Sequence, residues 1–394
     1  MDRPMYKIQT LNKIARCGLD QLSRDTYEAA TEILNPDAIL VRSADMHSME
    51  LPPSVLAIAR AGAGVNNIPI PACTQRGIVV FNTPGANANG VKELVIASLF
   101  LSSRNLYEGI SWANSLAGTE NIPEQIEKGK SRFVGPEIQG KTLGVIGLGA
   151  IGVMVANSAA NLGMRVLGLD PFISVEAAWK LSHEVIKAPN LDMLLAESDY
   201  ITIHIPLKDD TKGLFNAERI SRMKKGARLL NFSRSGLVDN TAVKTAIAEG
   251  QLGGYVIDFP EAELLGVDKV LCIPHLGAST PESEDNCAIM AAEQLREYLE
   301  RGNIKNSVNY PNCEMAPTGK TRITLLNSNV PKVISRITST LGEYGLNIDE
   351  MLNKNRGEVA YNIIDVSDSV PDELIEKLRQ VDGVVAVRLI PDCQ

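Results

Sequence analysis

Two side chains far apart in the chain, Arg234 and His275, with an acid between them, could together carry a redox reaction on an alcohol. Moving a hydride off a secondary alcohol needs a base for the hydroxyl proton. An imidazole suits that task near neutral pH. A neighbouring carboxylate would hold the ring and stabilise its charged form. A guanidinium can clamp a substrate carboxylate through two parallel hydrogen bonds and polarise the carbonyl that forms. Taken singly, His275 reads as a satisfied histidine and Arg234 as half of an ion pair. Their shared placement at strand ends favours a site.

A hydride also needs an acceptor, and Thr142 to Asp170 offers a place for one. An apolar run enters Gly147-Leu-Gly149-Ala-Ile-Gly152, a helical pattern follows, and a second apolar run ends in Asp170. This is the spacing of a dinucleotide-binding βαβ unit. Gly147 permits the tight turn, Gly149 lets a pyrophosphate approach the backbone, and Gly152 lets the helix pack on its strand. Free N–H groups and the dipole at the helix start favour phosphate charge. Asp170, 18 residues after Gly152, would accept hydrogen bonds from a ribose diol and repel a 2′-phosphate. NAD is therefore expected over NADP.

The elements around these motifs follow a βα rhythm. Strands are predicted at Tyr6–Gln9, Ala38–Val41, Val55–Ile58 and Ile78–Phe81, in a small parallel domain. Polar residues just beyond such strands bind ligands in open parallel sheets. Arg42, Ser43 and the amides of Gly62 and Gly64 are thus candidate carboxylate or phosphate binders, against a surface salt bridge for Arg42 and plain turn chemistry for the glycines. The chain crosses to the central domain near Asn82-Thr-Pro-Gly-Ala-Asn87, before a helix from about Val91 to Arg104. Further strands are predicted at Tyr200–His204, Ala227–Asn231, Tyr255–Asp258 and Val270–Ile273. Each ends in a polar element: His204-Ile-Pro206, Asn231-Phe232-Ser233-Arg234, Asp258-Phe-Pro, and Pro274-His275. The helix Pro281–Arg301 returns the chain to the first domain.

Residues 313–320 read as a linker. From Thr321 the order becomes βαββαβ, with a hairpin turn at Asn355-Arg-Gly357. Its helices could cover only one face of the sheet, so edge pairing or face packing with another copy is expected, giving a homodimer or homotetramer. The fold class is α/β: a Rossmann NAD-binding domain (89–281) inserted in a flavodoxin-like substrate domain (1–88 and 282–312), then a ferredoxin-like βαββαβ domain (321–394).

The net charge of −8, with no long basic run, argues against nucleic acid or an anionic membrane as a partner. Cysteines at 17, 73, 272, 287, 313 and 393 form no metal or disulfide pattern. No metal is expected. With no signal peptide or membrane span visible, the cytoplasm is the expected compartment.

Three segments resemble the signatures of the D-isomer-specific 2-hydroxyacid dehydrogenases: Gly147–Gly152 with Asp170, Asn231–Asp239, and Pro274–Thr280. The resemblance covers about residues 5 to 310. It implies that Arg234 binds the substrate carboxylate and that His275 is the acid/base. It places Ala150, Ile151 and Asp170 on the dinucleotide. Phe232, Ser233, Arg234 and Asp258 would line the nicotinamide, with Leu276, Gly277 and Ala278 beside it. Asn87 would touch substrate, and Arg42 with Lys130 or Arg132 would meet a phosphate. The implied reaction is NAD-dependent oxidation of 3-phospho-D-glycerate. The alternatives are another 2-hydroxy acid (glycerate, lactate, 2-hydroxyglutarate) or a non-catalytic NAD(H)-sensing protein. The family's acid segment normally ends in Glu-Pro; here it reads Asp258-Phe-Pro-Glu261-Ala-Glu263-Leu. A spacing of 29 from Arg234 favours Glu263, with Glu261 the alternative. The tail resembles an ACT domain, a module that binds amino acids between chains. Asn329 and Asn347 match its effector site, whereas Asn327 and Lys332 depart from it.

Overall fold

A computed structural model describes residues 5–390, so Cys393 lies outside the described residues. The chain divides into two compact units, residues 1–87 with 284–394, and residues 88–283.

The first unit holds two sheets. Strands β1 (Tyr6–Leu11), β2 (Tyr27–Ala30), β3 (Ala38–Val41), β4 (Ala57–Arg60) and β5 (Val79–Phe81) form a parallel sheet in the order β2-β1-β3-β4-β5. This is the flavodoxin-like order expected. The central strand β3 is buried at all four positions, as the continuous run Ala-Ile-Leu-Val requires when helices cover both faces. The short β2 has only Tyr27 facing the core, a pattern too weak to read from sequence. Strand β4 starts two residues later than expected. Val55 is buried but belongs to a turn closed by its N–H to Pro52 O, so the strand runs on to Arg60.

The tail sheet comprises β13 (Thr321–Ser328), β14 (Ile348–Arg356), β15 (Val359–Val366) and β16 (Val384–Ile390), once β6 to β12 of the second unit are counted. It is antiparallel in the order β14-β15-β13-β16, the ferredoxin-like plan. One face packs on the Val333–Glu343 and Asp372–Arg379 helices through Ile323, Leu325, Ile364 and Val366. The other face is not left for a second copy. Leu326, Tyr361 and Ile363 join the core of the first sheet with Tyr298, Leu299 and Ile304. The sheet face expected to pack on another chain thus packs within this unit instead, while β14 and β16 stand at the edges, where strand pairing was the other expectation. Residues 313–320 are no free tether either: Cys313 bridges Ile304, and Met315 is buried.

A buried ion pair clasps this junction. Arg322 on β13 donates from Nε and Nη2 to the two carboxylate oxygens of Asp365 on β15, at 2.7 and 2.9 Å. Its remaining donors reach the carbonyls of Arg301, Met315 and Ala316. Both side chains are fully enclosed. Such a pair is tolerable only because nearly every donor is met.

The second unit carries a seven-stranded parallel sheet: β6 (Thr142–Ile146), β7 (Arg165–Leu169), β8 (Ile186–Lys187), β9 (Tyr200–Ile203), β10 (Ala227–Asn231), β11 (Leu252–Ile257) and β12 (Val270–Cys272). The order is β12-β11-β10-β9-β6-β7-β8, with the strand order reversing between β6 and β9. That is the doubly wound nucleotide-binding plan, and the reversal is where ligands bind. All five residues of β6 are buried. No helix of the described residues is long and apolar enough to cross a membrane.

Candidate active site

The glycine turn sits at that switch point. Gly147 follows β6 with φ of +90°, where a side chain would also press on the His204 carbonyl. Gly152 lies in the first turn of the Ala150–Asn161 helix, and a Cβ there would overlap the carbonyl oxygen of Gly147. At Gly149, by contrast, nothing lies within 4 Å of where a Cβ would be, so the backbone is open to a phosphate. Asp170 accepts the Leu148 N–H on Oδ2 and the Phe172 N–H on Oδ1, both at 2.8 Å. These bonds fix the carboxylate, and each oxygen keeps a lone pair for a ribose hydroxyl. Open glycine backbone, helix N-terminus and anchored acid fit a dinucleotide. Asp170 also borders a cavity of about 530 Å³ with Leu148, Ile173 and Pro189, mostly apolar as an adenine would require.

His204, whose place at a strand end makes it a candidate for holding the cofactor, does not turn its ring toward the site. Its ring is turned inward, with Nε2 3.0 Å from Thr202 Oγ1 and Nδ1 buried without a partner. Burial pushes its pKa down to about 3, so it is neutral. Its backbone rather than its imidazole borders the glycine turn. Pro206 accepts from Thr211 Oγ1 through its carbonyl and shapes the loop.

Arg234 and His275 meet on one aromatic ring. The Arg234 guanidinium lies 5.5 Å from the Phe259 centroid, and the His275 ring centroid is 4.4 Å from it. Two turns set this up. After β10, buried Asn231 accepts the Ser233 N–H and donates to Arg234 O, while Ser233 Oγ reaches Ile203 O. After β12, His275 takes a left-handed φ of +54°, uncommon for a side chain of this size. Asp258, 2% exposed, holds the following loop: its oxygens accept the Leu276 and Gly277 N–H groups at 2.7 and 2.9 Å. Burial raises its pKa, and those two bonds oppose the rise. Asp258 therefore acts by positioning the His275 loop. Phe259 carried no sequence signal beyond its place next to Asp258.

The acids are differently employed than expected. Among the described residues neither Glu263 nor Glu261 bonds to His275. Glu263 accepts from Lys244 Nζ at 2.7 Å and Asn240 Nδ2 at 3.0 Å, and Asn240 also donates to Glu261 at 2.6 Å. The Lys244 bond and then the Asn240 bond hold the Glu263 carboxyl below its usual range. The unlike charge of Lys244, four residues beyond Asn240 on the same helix, captures the acid that spacing assigned to histidine. Asn240 and Lys244 were not singled out in the sequence, where they read as ordinary helix residues.

In the first unit, Arg42 forms an ion pair with Glu284. The Ser43 N–H is taken by Asn12 Oδ1, which also holds Ala44. Gly62 lies under the Arg60 guanidinium, which would collide with any Cβ, and its carbonyl accepts the Thr83 N–H. Arg60, the first residue of the polar stretch that carries Gly62 and Gly64, is the last residue of β4. Gly64 is half-buried in the same turn, and Asn87 is half-buried at the end of the unit. Lys130 pairs with Glu127, and Arg132 stacks on Trp112 at 4.8 Å, so both are engaged locally. In the tail, Asn329 donates to Gly357 O at 2.9 Å, stapling the hairpin turn, and Asn347 is exposed. The described residues contain no group of three or more His, Cys, Asp or Glu arranged for a metal.

Residues 99–277 match the model of the D-isomer specific 2-hydroxyacid dehydrogenase NAD binding domain. The D-3-phosphoglycerate dehydrogenase of Haemophilus influenzae is 30% identical over 357 residues, covering 87% of this chain and 83% of that one. That of Synechocystis is 36% identical over 326 residues, covering 78% and 56%. This chain spans little more than half the length of several curated relatives, 54 to 59% for four of them. Among solved structures, NAD⁺-bound 3-phosphoglycerate dehydrogenase of Entamoeba histolytica superposes with a TM-score of 0.60 at 27% identity, covering 77% of this chain and 99% of that one. The chain belongs to the D-isomer-specific 2-hydroxyacid dehydrogenase family.

Proposed function

We propose that the protein is an NAD-dependent dehydrogenase that oxidises 3-phospho-D-glycerate to 3-phosphohydroxypyruvate, the step that opens the phosphorylated route to L-serine. The observation that carries the chemistry is the common seat of Arg234 and His275 on Phe259. The relatives named D-3-phosphoglycerate dehydrogenase support the choice of acid. When bound, NAD supplies the hydride acceptor. Gly147, Gly149, Ala150, Ile151, Gly152 and Asp170 would hold it, with Pro206, Phe232, Ser233 and Ala278 around the ring end. Arg234 takes the substrate carboxylate, and its charge favours the carbonyl that forms. His275 accepts the hydroxyl proton. Asp258 holds the imidazole in place through its own loop. For Glu263 to pair with His275 it must first leave Lys244.

The Arg42–Glu284 pair favours a second reading. A phosphate would have to displace Glu284 to reach Arg42, so an unphosphorylated 2-hydroxy acid is the competing substrate. NADH formation across phosphorylated and unphosphorylated 2-hydroxy acids decides between them. Reduction of NAD by 3-phosphoglycerate alone is expected. Turnover on unphosphorylated acids alone would overturn the phosphate assignment, and none on any acid would favour an NAD(H)-sensing protein. Near-normal turnover in His275→Ala would remove the assigned base. An amino-acid effector at Asn329 and Asn347, assembly as a homodimer or homotetramer and a cytoplasmic location complete the reading. Calorimetry with serine and sedimentation test the first two.

A further inference from the structure

We propose that an open depression of about 490 Å³ in the first unit is a binding site for a small carboxylate- or phosphate-bearing anion. One wall is the tail hairpin. Lys354 and Arg356 stand two apart on β14, so they share a face of the sheet. Arg356 donates one Nη1 bond to Ser307 O at 2.9 Å and keeps its other donors uncommitted. Lys354 has no ion pair among the described residues. No lining residue is acidic. That is unusual in a chain with 47 acidic and 39 basic residues, where Arg42, Lys244 and Lys320 each find a carboxylate. The remaining walls bring the side chains of Asn82, Asn306, Asn312 and Asn355. The Asn312 carbonyl oxygen is already occupied by the Asn306 N–H, which leaves its amide as a donor. Two cations and several neutral amides without a counter-charge form a receptor for an oxyanion that also carries hydroxyl or amino groups. Pro84, Tyr310 and Pro311 add apolar surface beside these polar groups, so the carbon frame of such an anion also finds contact.

The position suits an effector. Asn82 and Pro84 precede Ala88, the first residue of the second unit, by a few residues. An anion held between them and the 354–356 hairpin would tie the tail to the turn that leaves the unit after β5. This site is separate in its residues from the Asn329 and Asn347 positions and does not rest on the reaction proposed above.

The test is binding of inorganic phosphate and of malonate to the full chain, by calorimetry at matched ionic strength with chloride as control. It is done in an Arg234→Gln background to suppress binding at the candidate active site. Saturable binding of one or both is expected, and which one binds identifies the anion class. Lys354→Glu in that background should weaken it at least tenfold. Lys354 is exposed and unbonded, so this variant folds; circular dichroism verifies it, and Arg356→Gln gives an independent second loss. Unchanged affinity in Lys354→Glu, or no saturable binding of either anion, would overturn the proposal.

Discussion

Removing the acid of the Arg322–Asp365 clasp should unfold the first unit at markedly lower denaturant. In Asp365→Ala the guanidinium stays enclosed with three carbonyls but no negative charge, and Thr318 Oγ1 loses its acceptor as well. Leaving one member of a buried pair uncompensated costs about 3–5 kcal/mol. For a unit of this size that corresponds to a melting shift of roughly 10 °C. Arg322→Met with Asp365→Leu removes both charges, so the penalty for an unpaired ion vanishes. What remains is three carbonyls without donors and the Thr318 hydroxyl without its acceptor, at about 1 kcal/mol each. The double variant should therefore be no less stable than Asp365→Ala, and the two single losses should not add. Urea unfolding followed by far-UV circular dichroism measures this. Trp112 and Trp179, the two tryptophans, both lie in residues 88–283, so their fluorescence follows the other unit and serves as an internal control. A loss below about 1 kcal/mol in Asp365→Ala, or strict additivity, would refute the view that the clasp is a coupled buried pair.

Other outcomes follow from single sites. Desolvation of the half-buried His204 ring, whose Nδ1 is enclosed, pushes its pKa down to about 3 from the ordinary 6.5. As pH falls through 6.5 the unfolded chain takes up the proton first, so stability declines toward pH 3 by at most about 1.4 kcal/mol per pH unit. His204→Gln should flatten that slope in urea midpoints measured from pH 7 to 5. Gly152→Ala should abolish NAD binding in calorimetry, because its methyl group collides with the Gly147 carbonyl that shapes the turn. Asp258→Ala frees the Leu276 and Gly277 amides, and turnover should drop at least tenfold while circular dichroism is unchanged. Lys244→Gln releases Glu263; a shift in the acid limb of the pH–rate profile would place that carboxylate in the reaction, and an unmoved limb would leave it structural.

The glycine turn, its acid and the strand ends were legible because local rules govern them. A residue that needs positive φ, or a helix start that needs exposed N–H groups, leaves its mark within a few positions, as Gly147 and Gly149 show. Continuous apolar runs such as Ala38–Val41 likewise announce buried parallel strands, and the βαββαβ order of the tail announces its sheet. The weak elements were those with little to bury, namely β2 with one inward residue and β8 with two exposed ones.

Pairing of charges over distance lay beyond such rules. Glu263 stands at the right spacing to serve His275, yet Lys244 and Asn240 hold it, because a helix from another part of the chain packs beside that loop. Arg42 finds Glu284, and Arg322 finds Asp365, across hundreds or tens of residues. The open face of the tail sheet is covered from within the same unit, by the end of the 281–301 helix and the segment after it. Sequence thus determined which backbone shapes and which reactive groups exist. Tertiary packing decided which partner each charge and each apolar face acquires, since Coulomb attraction and burial depend on distance in space and not along the chain.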